Sequence, residues 1–113
     1  MKISASIYSY KDQSDLHAIV HELDIHRVDC FHIDCNDNLN VFNDIREIRK
    51  TSNTAIDLHI ITSEPEKYFH EIDALKIEYV QFQFENLTQP LHIKKNGYTK
   101  YGLGITSVTD FSV

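Results

Sequence analysis

A chain of 113 residues, 42% hydrophobic and 25% charged, has the length and composition of one globular domain. Its net charge of −6, with Lys94-Lys95 as the only adjacent lysines, excludes the basic stripe that nucleic acid or an anionic membrane surface needs. No apolar run nears the roughly 20 residues of a membrane span; no charged-then-apolar leader precedes the first strand-like run, so a cytoplasmic location is expected.

Residues 2–7 read as a first strand. Asp12 or Ser14 can cap a helix carrying Leu16, Ile19, Val20 and Leu23 at i, i+3, i+4, i+7 spacing. Residues 30–35 form a second strand, and Asn43 can cap a short helix with Ile45 and Ile48 on one side. Residues 55–61 form a third strand. Ser63-Glu64-Pro65-Glu66 then reads as a helix start, with a capping box from Ser63 to Glu66 and Pro65 in the first turn. Tyr68, Ile72 and Leu75 make the buried stripe of that helix. A fourth strand over residues 77–84 is followed by a weak helical or looped stretch containing Pro90, and a fifth strand runs over residues 100–105.

Strands alternating with short helices imply parallel βα units, here about one per 20–25 residues. With 3 glycines, the Gly-rich loops of dinucleotide and P-loop sites are excluded. Five strands do not close a (β/α)₈ barrel, which takes about 250 residues. The alternatives are an open five-stranded sheet or the first half of a barrel. A half-barrel would expose strand edges and an apolar inner face, which calls for partner chains.

His32-Ile33-Asp34 and Asp57-Leu58-His59 carry the chemistry. Side chains alternate along a strand, so His32 and Asp34 share one face, as do Asp57, His59 and Ile61. Two imidazoles and a carboxylate on neighbouring strands form a partial shell for zinc, iron or manganese. Asp57, two residues before His59, is read as structural and paired with Lys2 or Lys100. Cys30 and Cys35 fall on opposite faces, roughly 16 Å apart along the strand, too far for a disulfide, which needs Cα atoms within about 7 Å; both are read as small fillers. His17 and His21 are i, i+4 on the first helix but lack the glutamate of a zinc-protease motif, and read as a solvated face. His26, His70 and His92 have no partners at ligand spacing. Tyr79, Phe82 and Phe84 read as strand packing, and Glu85 as either a site residue or a solvated strand end.

The order of these motifs resembles the N-terminal half of the ribulose-phosphate 3-epimerase family, over nearly the whole chain. Lys2-Ile3-Ser4-Ala5-Ser6-Ile7 is similar to that family's opening strand. Asp29-Cys30-Phe31-His32-Ile33-Asp34-Cys35-Asn36-Asp37 resembles its second, written D-x-x-H-[IL]-D-V-M-D-G. Asp57-Leu58-His59-Ile60-Ile61 followed by Ser63-Glu64-Pro65-Glu66 resembles its third strand and the proline-started helix, and Gly102-Leu103-Gly104-Ile105 its fifth strand. The chain departs from the pattern at Asn36 and Ile61, where the family has methionines, and at Asn38, which replaces the glycine of M-D-G. The loop from Asn38 to Phe42 is shorter than the family's and lacks its proline, and Gln83 stands where histidine is usual, with Glu85 retained.

The resemblance implies a (β/α)₈ TIM barrel of which residues 1–113, one domain, supply roughly the first five βα units. It implies epimerisation of a phosphorylated ketose, D-ribulose 5-phosphate to D-xylulose 5-phosphate, by proton removal and return at C3 through a metal-stabilised enediolate. One divalent ion (Zn²⁺, Fe²⁺ or Mn²⁺) would be held by His32, Asp34 and His59. Asp34 would be one of two acid/base aspartates, and Ser6, His32 and His59 would contact substrate. The fourth ligand, which is also the second aspartate, lies on the family's seventh strand, and the phosphate loops lie later still. The isolated segment is therefore expected to be inactive, and a homo-oligomer is expected. Two other readings compete: a non-catalytic barrel relative used for ligand binding or assembly, and another phosphate-binding barrel such as a decarboxylase or a thiamin-phosphate-synthase-like enzyme. The latter usually carry a lysine near the end of the second or third strand, and none stands beside Asp34 or His59.

Overall fold

The computed structural model describes residues 3–9, 15–93 and 95–105. Five strands alternate with helices: β1 (Ser4–Ser6), α1 (Leu16–Ile25), β2 (Cys30–Asn36), α2 (Val41–Thr51), β3 (Ala55–Ile61), α3 (Phe69–Leu75), β4 (Tyr79–Gln83) and β5 (Lys100–Gly104). All neighbours are parallel, and the strand order in space is the order in sequence, β1-β2-β3-β4-β5. This is the progression of a barrel wall; a doubly wound sheet would reverse direction part-way. The wall does not close, so β1 and β5 are its edges.

The period-2 pattern of the strands divides the sheet into two unlike faces. Phe31, Ile33 and Cys35 of β2, Ile56, Leu58 and Ile60 of β3, and Val80 and Phe82 of β4 are all wholly buried. The helices cover this face with Ile19, Val20 and Leu23 of α1, Val41, Phe42, Ile45 and Ile48 of α2, and Ile72 of α3. The opposite face carries Ser6, His32, Asp34, Asn36, Asp57, His59, Gln81 and Gly102. The expected apolar inner face is therefore corrected: most of the exposed concave side is polar.

At the lower end of the sheet, Arg49 pairs with Glu78 at 2.8 Å and donates to the carbonyls of Leu75 and Lys76. The Glu78 carboxylate also accepts from Ile56 N–H at 3.0 Å, so α2, β3 and the approach to β4 are tied together. Of the fourth-strand aromatics, only Phe82 joins the core, where it stacks on Tyr101; Tyr79 lies on the polar face, and Phe84 is exposed. Burial pushes the Tyr101 hydroxyl up to about 12.

Helix starts differ from expectation. Asp12 and Ser14 lie outside the described residues; Asp15 caps α1, accepting from Ala18 N–H at 3.0 Å. α2 begins at Val41 with Asn40 at its cap, so Asn43 is inside it. Burial of Val41 and Phe42 against the sheet sets that earlier start. At Ser63–Glu66 the anticipated capping box gives way to a bond from Glu64 N–H to Thr62 Oγ1 at 3.0 Å, followed by a 3₁₀ turn over Pro65–Tyr68. Pro65 does stand in the first turn, and Tyr68 and Ile72 are buried. After β4 there is one 3₁₀ turn, Phe84–Asn86, and no α-helix before β5 among the described residues.

Candidate metal centre

The register of the sheet builds the site. Asp34 lies directly across from His59, His32 across from Asp57, and Ser6 across from His32. These positions share the polar face because each is an even number of residues from the next on its strand. The ring centroids of His32 and His59 stand 6.2 Å apart.

Asp34 is the centre of the arrangement. Its Oδ1 is 2.9 Å from His32 Nε2 and 3.2 Å from His59 Nδ1. The outer ring nitrogens are each held by an acceptor. His32 Nδ1 donates to Asp57 Oδ2 at 3.3 Å, and His59 Nε2 faces Gln83 Oε1 at 2.6 Å. Gln83 in turn donates through Nε2 to Glu85 Oε1 at 2.5 Å. The polar side chains run in one line: Asp57, His32, Asp34, His59, Gln83, Glu85.

This line fits a cation. A carboxylate only accepts, so the proton of neutral His32 belongs on Nδ1, toward Asp57. The Gln83 amide presents its oxygen to His59, which places the proton of neutral His59 on Nε2. Two bare ring nitrogens then face Asp34 Oδ1, three acceptors drawn together, and a positive charge among them relieves the repulsion. Among the described residues, His32, Asp34 and His59 form the one metal-capable group, with ligand atoms within 4.8 Å of one another. Imidazole and carboxylate donors suit zinc, iron or manganese. Their outer-nitrogen contacts are the second layer that metal-bound histidines ordinarily have. Hydrogen bonding to Asp57, partly offset by burial and reinforced by Asp34, raises the pKa of His32, so a proton competes for the site that a metal would occupy.

Asp57 corrects an expectation. Lys2 lies outside the described residues, and the partner of Asp57 is His32. Its Oδ1 is buried without a hydrogen bond among the described residues, which costs free energy unless the carboxylate is needed where it stands. Ser6 is half-buried beside His32. Cys30 and Cys35 are buried free thiols on opposite faces. His17 meets Glu47 at 3.6 Å on the surface, while His21, His26, His70 and His92 are exposed.

The loop that follows β2 is anchored by a residue that sequence reasoning missed. Asp37 has φ 56°, so it, rather than Asn38, is the left-handed residue of the turn after β2. Its carboxylate accepts from Tyr68 Oη at 2.6 Å, Thr62 Oγ1 at 2.8 Å and Lys67 Nζ at 2.9 Å. These bonds, the Tyr68 hydroxyl first, hold its pKa down to about 2. Asp37 thereby ties the loop after β2 to the loop after β3 and to the turn Pro65–Tyr68. Beyond Asp34 a cleft of about 530 Å³ opens, lined by Tyr8, Asn36, Asn38, Asn40, Asn43 and Asp44. Tyr8 donates to Asp44 there at 2.6 Å. Gln83 was visible in the sequence only as a departure from a pattern, and nothing local marked it as the partner of His59.

Residues 2–111 match the sequence model described as the ribulose-phosphate 3 epimerase family. No curated protein matches the chain.

Proposed function

The chain belongs to the ribulose-phosphate 3 epimerase family, and from that premise we propose that it supplies the metal-binding half of a ketose-phosphate epimerase site, with D-ribulose 5-phosphate as substrate. The observation that carries the reading is the convergence of His32 Nε2 and His59 Nδ1 on one oxygen of Asp34. His32, Asp34 and His59 would hold one divalent ion (Zn²⁺, Fe²⁺ or Mn²⁺), which when bound stabilises negative charge developing on the substrate's oxygens by several kcal/mol. Asp34 is the proton carrier: its side chain is 46% exposed on the open face, so a carbon acid above the sheet can reach it. Removing the C3 proton on one face and returning one on the other inverts that centre. Asp57 and Gln83 hold the outer ring nitrogens and so aim the inner ones at Asp34. Ser6, beside His32, would donate to a substrate oxygen.

A second carboxylate must act on the opposite face of the substrate. In this reading it would come from a seventh strand, as the resemblance implies, and the described strands of this chain number five. In this reading they form the N-terminal part of a (β/α)₈ barrel, cytoplasmic and oligomeric, and the segment alone binds metal without epimerising. No helix among the described residues is long and apolar enough to cross a membrane.

The test pairs metal content with exchange of the C3 proton. The chain should retain one divalent ion after dialysis, and His32→Ala and His59→Ala should lose it. In a protein with the second carboxylate, D-ribulose 5-phosphate should incorporate deuterium at C3 only when metal is present. Unchanged metal content in both variants would overturn the reading, and metal binding without any C3 exchange would favour the binding-only relative.

A further inference from the structure

His59 is set between two different neighbours, and the side that faces away from Asp34 is the more elaborately built. Gln83 is buried, and its amide meets His59 Nε2 at 2.6 Å through Oε1 and Glu85 at 2.5 Å through Nε2. An amide can flip and offer either end to a histidine. Glu85 removes that freedom, because a carboxylate accepts and so draws the NH₂ end. The oxygen end is left for His59, and only an N–H on Nε2 satisfies it. Neutral His59 then has its lone pair on Nδ1, the nitrogen 3.2 Å from Asp34 Oδ1.

Gly104 supplies the room. It lies across from Gln83 on β5. A Cβ there would come within 2.9 Å of Gln83 Oε1 and 3.1 Å of His59 Nε2, closer than ordinary contacts allow. Its φ does not require glycine, so the small residue is explained by the approach of these two side chains alone.

We propose that Gln83, with its amide polarity set by Glu85 and its space left by Gly104, is the positioning residue that fixes His59 in the Nε2–H tautomer and so makes Nδ1 a ligand. The inference rests on the metal reading above and adds the device that prepares one ligand in advance. It also gives a role to the position at which the chain departs from its family's usual histidine. An imidazole there could turn either nitrogen toward His59, whereas an amide pinned by Glu85 offers one polarity.

The experiment reads the tautomer directly, in the metal-free chain. Long-range ¹H–¹⁵N correlations of the imidazole rings, recorded at a pH where His59 is neutral, should show Nε2–H in the parent chain. Gln83→Met keeps the length but removes the acceptor, and should give mixed tautomers with Mn²⁺ or Zn²⁺ affinity lower by about 10–100-fold. Gln83→Glu keeps an acceptor and should retain Nε2–H. Gly104→Ala should weaken metal binding as Gln83→Met does. Glu85→Ala, at an exposed position, should give a smaller loss in the same direction and carries the test if Gln83→Met does not fold.

A pure Nε2–H signal with metal affinity within twofold of the parent in Gln83→Met, or in Glu85→Ala standing in for it, would overturn the proposal. The His59→Ala control separates the two levels. If it binds metal as tightly as the parent, the metal reading fails, while the tautomer readout still judges Gln83. If it loses metal while the Gln83 variants keep both tautomer and affinity, only the positioning role fails.

Discussion

β2 and β3 each present two unlike faces made from alternate residues of the same seven-residue strand. On one face Ile33, Leu58 and their neighbours have no solvent exposure. On the other, one residue away along the chain, Asp34 and His59 remain 46% and 21% exposed, with Asp34 Oδ1 3.2 Å from His59 Nδ1. The first face holds the fold through contact area and packing. The second contributes little burial, and its partly exposed ion pairs add little stability. Fold and chemistry are thus carried by alternate residues of the same strands, and substitutions should sort by face.

The comparison breaks most visibly in the core. Leu58→Ala should lower unfolding free energy by about 2–5 kcal/mol in urea titrations. His59→Ala, its neighbour in sequence, should change stability far less while abolishing metal binding. A destabilisation by His59→Ala as large as that by Leu58→Ala would mean the two faces are not separable.

Next comes the pH dependence of the open face. Asp57 raises the pKa of His32, and metal binding needs His32 neutral. Metal should therefore be lost on acidification starting above the pH at which an ordinary histidine would release it. Asp57→Asn lowers the His32 pKa and should move the midpoint of metal loss to lower pH. An unmoved midpoint would show that Asp57 does not act on His32.

The smallest effect concerns the anchor of the loop after β2. The Asp37 carboxyl is held at about 2, below its ordinary 3.8. A depressed folded-state pKa contributes stability above the unfolded value that disappears as pH falls through the folded one. Asp37→Asn should therefore melt at a lower temperature than the parent at pH 6, and the gap should close between about pH 4 and pH 2. A gap constant over that range would assign the loss to geometry instead of charge.

Much of this was legible in the sequence, for identifiable reasons. β3 runs over the seven residues that its apolar alternation indicated, because a strand buried on one face writes its period locally. Two His/Asp pairs at period-2 spacing on consecutive parallel strands have few ways to avoid one another, so His32, Asp34 and His59 meet as expected. What was not legible depends on pairing across the sheet. Asp57 was assigned to a lysine because charge suggested it, yet register set it opposite His32. The inner face was expected to be apolar by analogy with closed barrels, although Ser6, Gln81 and Gly102 are polar or small at positions that alternation already placed there. Nothing local marks Asp37, because its bonds to Thr62, Lys67 and Tyr68 come from 25 or more residues away. The start of α2 falls three residues earlier than a cap at Asn43 implies, because burial of Val41 and Phe42 decides it.

The central claim is that one face of this sheet is a prepared divalent-metal site. The most direct measurement is Mn²⁺ or Zn²⁺ titration of the chain by isothermal calorimetry, run beside Asp34→Ala and His59→Ala variants whose melting temperatures are recorded in the same buffer. The account predicts one ion bound per chain, with binding abolished in both variants while they still fold. Binding of unchanged stoichiometry and affinity in either folded variant, or no binding by the parent chain, would contradict it.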